Sequence, residues 1–127
     1  MITYSIGDSV IRIKNAALAR HKSVVVVNSK FVAAVVDAMK RAGLVREFEV
    51  KPEDRTIVVQ LAYRKKEPVL MDLKLVSTPG LHLYMSVPEL VARKKSSLLI
   101  LTTSKGVLTS KEALKEGVGG EILVEIL

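Results

Sequence analysis

The chain has 127 residues, of which 49% are hydrophobic and only 4% aromatic, with no Trp or Cys and a formal charge of +7. That length suits one compact domain or two small ones sharing an interface around an aliphatic core, and the lack of cysteine excludes disulfides, thiolate chemistry and Cys-based zinc sites. No apolar run approaches the roughly 20 residues that span a bilayer, Asp8 and Arg12 stand where a signal peptide would be apolar, and two isolated histidines, His21 and His82, leave little for a metal. The expectation is a cytoplasmic protein without metal or cofactor whose partner is a polyanion.

The charge is uneven. Residues 1–66 hold thirteen Lys and Arg against six Asp and Glu, whereas 67–127 hold seven of each. The first half therefore suits sequence-independent attraction to phosphate, and the second suits readout by shape and hydrogen bonds.

Ile6, Val10, Ile13 and Ala17 recur at helical spacing behind Ser5 and Asp8, which resemble a capping box, and predict a first helix over 6–19. Its other face carries Asp8, Arg12 and Asn15, with Lys14 close by. From spacing alone, that face meets water as readily as RNA. Residues 23–27 are β-branched and predict a buried strand. Ser29 caps a second helix with an apolar stripe of Phe31, Val32, Val35, Val36 and Met39; Lys40 and Arg41 suit its negative end, and Gly43 suits a left-handed stop. Residues 46–51, a turn at 52–55 and a strand over 56–63 predict a hairpin. The first half reads α-β-α-β-β, and the charged stretch 64–68, closed by Pro68, marks a boundary between a basic domain 1–66 and a β-rich domain 67–127.

Met71, Leu73 and Leu75 alternate with Asp72 and Lys74, predicting a strand with one wet face that leads into a type II turn at Pro79-Gly80. The strand beyond places Leu81 and Leu83 on one face and His82 and Tyr84 on the other. An outward Tyr can stack on a base or ribose, or simply be half-buried with a wet hydroxyl. Ser86 with Glu89, and Thr109 with Glu112, are capping-box patterns opening two short helices, the first ended by Arg93-Lys94-Lys95 and the second by Gly117. Residues 98–101 form a central strand and 121–127 the last. The fold class is α+β: two small subdomains, the second a mainly antiparallel sheet with short helices.

Two runs of the second half carry chemistry. Thr102-Thr103-Ser104-Lys105-Gly106-Val107-Leu108-Thr109 crowds hydroxyls, one ammonium and a glycine into a loop, and Gly117-Val118-Gly119-Gly120-Glu121 is its expected neighbour. A Ser104-Lys105 nucleophile pair is poorly served, because neighbours on an extended chain point apart. The glycine run precedes a strand rather than opening a helix, so neither the P-loop nor the dinucleotide fingerprint applies. Glu121 lacks a second carboxylate at a defined spacing, and no catalytic residue is expected. Hydroxyls, backbone N–H groups, one cation and one acceptor are the groups that read 2′-hydroxyls, phosphates and base edges of folded RNA.

These runs, in this order, resemble the motifs of the small-subunit ribosomal protein eight family, the bacterial S-eight family. Typical members carry Ser-Thr-Ser-Lys-Gly-Val-Met-Thr, then Gly-Leu-Gly-Gly-Glu-Ile, preceded by Ser-Arg-Pro-Gly-Leu-Arg-Ile-Tyr, which is Ser77-Thr78-Pro79-Gly80-Leu81-His82-Leu83-Tyr84 here. Residues 6–15 resemble the family's basic first helix and Asn28-Ser29-Lys30 its second helix start. The resemblance implies a non-catalytic constituent of the small ribosomal subunit that binds a hairpin in the central domain of its rRNA and helps assemble that domain. It implies RNA contacts at Thr102, Thr103, Ser104, Lys105, Gly106, Gly119, Gly120, Glu121, Tyr84 and His82, and a second contact through Arg12, Lys14, Asn15 and Lys30. The implied partners are small-subunit rRNA, neighbouring small-subunit proteins and, as in members that repress their own operon, the protein's own mRNA; no membrane or small-molecule substrate is implied. The alternative is a stand-alone regulator that binds RNA hairpins. The chain departs from the family where Thr78 and His82 replace arginines, Ile11 a threonine, Lys95-Ser96-Ser97 a Gly-Leu-Gly and Glu125 a tyrosine. An imidazole is not a fixed cation, and Arg93, Lys94 and Lys95 are the expected replacement for the lost charge.

Overall fold

A computed structural model describes residues 4–93 and 97–127. Helix α1 (Tyr4–Leu18) starts ahead of the expected cap, so Ser5 lies inside it. Ile6, Val10, Ile13 and Ala17 are buried, as their spacing requires. After strand β1 (Ser23–Val27), helix α2 (Lys30–Arg41) is capped by the Ser29 hydroxyl, which accepts the Val32 N–H at 3.1 Å, and Gly43 follows it with φ +84°. Strands β2 (Val45–Lys51) and β3 (Thr56–Leu61) flank a 3-10 turn over Pro52–Asp54. They complete an antiparallel sheet in the order β1-β3-β2. β1 is an edge strand with only one face covered, so Val26 is buried while Val25 and Val27 are exposed.

The chain does not run on as one strand to Tyr63. β4 (Tyr63–Arg64) and β5 (Glu67–Pro68) pair instead as a hairpin, whose turn residues Lys65 and Lys66 both have positive φ, 52° and 69°. Two such residues match the twist of the flanking strands, as in a type I′ turn. The charged stretch between the halves is thus a tight hairpin. It is held to the end of α1 by the Tyr63 hydroxyl, which donates to the His21 carbonyl at 2.6 Å, and by an Arg20–Glu67 ion pair at 3.1 Å.

The second half comprises β6 (Leu73–Leu75), β7 (Tyr84–Met85), α3 (Val87–Ala92), β8 (Leu98–Thr103), β9 (Gly106–Thr109), α4 (Ser110–Glu116) and β10 (Gly120–Ile126). Its antiparallel sheet has the order β6-β10-β8-β9, with β7 paired to the start of β10. Met71 falls outside β6 and is exposed. The strand expected over 81–84 shrinks to its last residue plus Met85: the Leu83 carbonyl still accepts the Ile122 N–H of β10 at 2.8 Å, but its own N–H goes to the Ser77 hydroxyl at 3.0 Å. Leu81 and Thr78 exchange backbone hydrogen bonds of 3.0 and 2.8 Å around Pro79-Gly80, but Gly80 lacks the positive φ that a type II turn requires. Both later capping boxes form: the Ser86 and Thr109 hydroxyls accept from the Glu89 and Glu112 N–H groups, and each carboxylate reaches back to its cap. Lys94, Lys95 and Ser96, part of the expected basic cluster, lie outside the described residues.

Buried residues of both halves join one cluster, including Ile13, Val26, Met39 and Ile57 from the first and Leu73, Ile100 and Leu123 from the second. Leu99 and Leu101, alternating with Ile100 along β8, face a smaller cluster with Leu90, Ala113 and Ile122. β8 and β10 are covered on both faces, which gives the loops at their ends a rigid base.

Candidate nucleic-acid interface

The Thr102–Thr109 run is a hairpin rather than an open loop: Thr102 and Thr103 end β8, Gly106 begins β9, and Ser104-Lys105 is the tip. Its positive φ, +104°, falls on Gly106 rather than on either tip residue, so residues with side chains can occupy the apex. Thr103 closes the turn, its hydroxyl accepting the Lys105 N–H at 3.0 Å and donating to the Gly106 carbonyl at 2.9 Å. Its hydroxyl is therefore occupied internally. The Ser104 side chain is exposed and has no hydrogen-bond partner among the described residues, and Lys105 pairs at 3.4 Å with Glu116, both exposed.

Gly119 and Gly120 serve the sheet. A Cβ on Gly119 would stand 2.3 Å from the Met85 carbonyl oxygen, and one on Gly120 would stand 2.1 Å from that of Thr102. Neither glycine takes positive φ, so close approach of neighbouring backbone is what excludes larger residues.

Tyr84 and Thr102 both pair with Glu121, from opposite sides of β10. Directly opposed residues share a face, so these three side chains form a row across β7, β10 and β8, about 10 Å wide. Tyr84 is 67% exposed at its edge. Glu121, expected as an open acceptor, is only 4% exposed, and its carboxylate meets His82 Nδ1 at 2.7 Å. Burial works to raise its pKa, but the net displacement is below the ordinary 4.5, with the His82 hydrogen bond the largest lowering influence. Glu121 is thus ionised at neutral pH and lies against the partly exposed His82 ring.

The first-half candidates lie elsewhere. α1 packs beside β6, which pairs with the end of β10, whereas the hairpin tip, Tyr84 and His82 gather at its start. Arg12 pairs with Asp8 at 3.2 Å and Lys14 with Asp72 at 3.3 Å, while Asn15 and Lys30 are exposed and have no side-chain partner among the described residues. Arg93 does not stand in as a surface cation: it is largely covered, donates to Ser97 and lies 3.8 Å from Glu125. No three His, Asp or Glu side chains converge as a metal site among the described residues.

The model of the family described as Ribosomal protein S8 matches residues 5–127. The chain belongs to the ribosomal protein S8 family. It is 38% identical to the small ribosomal subunit protein uS8 of Thermosynechococcus vestitus over 94% of this chain and 93% of the relative. It is also 40% identical to that of Dictyoglomus thermophilum, covering 96% and 95% of the two chains, and 36% identical to that of Persephonella marina, covering 97% of each.

Within this S8 chain, sequence reasoning missed three structural roles: Thr103 as turn closure, the two glycines as packing sites, and Arg41 as a clamp that donates to the Val107 carbonyl and the Glu112 carboxylate. The first had a usable signal, since a Thr two residues before a backbone donor at a turn marks a side-chain-closed turn. The others depend on contacts between residues distant in sequence.

Proposed function

We propose that this chain is a structural constituent of the small ribosomal subunit, binding small-subunit rRNA directly at a central-domain hairpin and helping to order that domain beside neighbouring subunit proteins. The observation that carries this reading is the rigid β8–β9 tip. It presents the exposed Ser104 hydroxyl, which has no partner among the described residues, at the same end of the sheet as exposed Tyr84, in a chain whose relatives are small-subunit proteins. A shallow RNA minor groove or an irregular loop offers 2′-hydroxyls and base edges to such a hydroxyl, and an unstacked base to such a ring. Lys105 exchanges its exposed Glu116 partner for phosphate at little cost. Thr103, Gly106, Gly119 and Gly120 shape this surface, and Arg12, Asn15 and Lys30 hold phosphate at the second one; Lys14 joins them on leaving Asp72.

Footprinting of the full chain on small-subunit rRNA, followed by sedimentation, tests the reading. Protection of one hairpin and co-migration with small subunits are expected. Hairpin binding without co-migration would identify a free regulator, and no protection would end the RNA reading. A fold of its own mRNA that mimics the hairpin competes for the same residues.

A further inference from the structure

Glu121 is the one acidic side chain that is fully buried among the described residues, and its carboxylate lies against His82 Nδ1 at 2.7 Å. An ionised carboxylate can only accept a hydrogen bond, so the proton between them sits on Nδ1. In its neutral form an imidazole so placed carries its single N–H on Nδ1, which leaves Nε2 with a free lone pair. No described residue bonds to Nε2, and the side chain is 36% exposed, two positions from Tyr84.

Resting on the RNA-binding reading above, we propose that Glu121 is a positioning residue that fixes this tautomer, so that His82 reads a hydrogen-bond donor on the RNA rather than a phosphate. Two donors are within the chemistry of a shallow groove: a ribose 2′-hydroxyl and the exocyclic amine of guanine. A phosphate oxygen would meet the Nε2 lone pair with no proton between them. The arginine typical of this position in the motif has five donors and no acceptor. On this proposal His82 offers an acceptor where that motif arginine offers only donors.

The test combines three measurements on the full-length chain. Long-range nitrogen–proton NMR of the free protein near neutral pH should show His82 protonated on Nδ1 alone; a proton on Nε2 would overturn the proposal. Binding to the rRNA hairpin across a salt series should weaken about tenfold in His82→Ala with an unchanged slope. A slope lower by about 0.7 to 0.9 would mark His82 as a phosphate-binding cation and sink the idea.

Hairpins carrying single 2′-deoxy or inosine-for-guanosine substitutions then identify the donor. One substitution should weaken binding by wild type and leave His82→Ala unaffected, the 2′-deoxy arm indicating ribose and the inosine arm the guanine amine; no such position in either arm refutes the assignment. Glu121→Leu should match His82→Ala, with the double variant no worse, and Glu121→Gln, which keeps an acceptor for Nδ1–H, should recover part of the loss. If Glu121→Leu fails to fold, the tautomer and the substituted hairpins still decide. If wild type binds no hairpin, the RNA reading fails by itself, while the tautomer decides Glu121's role separately.

Discussion

Arg41, at the end of α2, donates to the Glu112 carboxylate at 2.9 Å, while Glu112 accepts the Thr109 N–H at 2.9 Å to close the cap of α4. The same guanidinium reaches the Val107 carbonyl at 2.8 Å and pairs with Asp37. One cation therefore ties the last turn of a first-half helix to the β8–β9 hairpin and to α4.

Replacing Arg41 with Ala should lower stability by about 1–2 kcal/mol in urea unfolding, a figure already reduced for solvent screening because the pair is about one-third exposed. The pH dependence has a definite sign. Burial raises the Glu112 pKa, but its hydrogen bonds with Arg41 and Thr109 bring it below the ordinary 4.5. A depressed folded pKa contributes stability that is complete above the unfolded value and lost as pH falls through the folded one. Acid unfolding of Glu112→Gln should accordingly be less steep below about pH 4.5 than that of wild type.

Gly120→Ala should cost about 1–3 kcal/mol, since its Cβ would fall 2.1 Å from the Thr102 carbonyl oxygen, a backbone atom that cannot swing away. Gly119→Ala should behave similarly against Met85. Gly106→Ala meets no neighbour within 4 Å and should cost about 1–2 kcal/mol through its φ of +104° alone, so Asn should be tolerated better than Ala there. Thermal unfolding of the three variants separates crowding from backbone strain.

Much of this architecture is legible locally. The Ser29, Ser86 and Thr109 caps, the Gly43 and Gly117 stops and the strands around 57–59 and 99–101 follow from periodicity and cap chemistry within a few residues. The signal fails where distant contacts decide. The Leu83 N–H goes to the Ser77 hydroxyl rather than to a neighbouring strand, and Gly119-Gly120 has the composition of a phosphate loop while serving sheet packing. Glu121 was expected from the sequence as an exposed acceptor and not as a buried partner of His82, because nothing within 38 residues of it in the chain announces that contact.

Ser9 is buried within α1, and its hydroxyl has no hydrogen-bond partner among the described residues. Ser9→Ala should raise stability by about 1 kcal/mol, because it removes a desolvated polar group without breaking a bond. A loss measured by denaturant titration would reveal a partner for that hydroxyl.

Adjacent hydroxyls at the tip should differ in kind. Thr103→Ala removes both bonds that shape the turn and should lower stability by about 1–2 kcal/mol along with RNA affinity. Ser104→Ala should leave the unfolding midpoint within about 0.5 kcal/mol of wild type and reduce only binding.

Salt-dependent binding of a central-domain rRNA hairpin to Ser104→Ala and Lys30→Ala tests the central claim that a neutral surface reads RNA while a basic one holds it. Ser104→Ala should lose about 1–3 kcal/mol of affinity at every salt concentration with an unchanged slope, and Lys30→Ala should lower the slope by about 0.7 to 0.9. Equal slopes and equal losses for the two variants would contradict it.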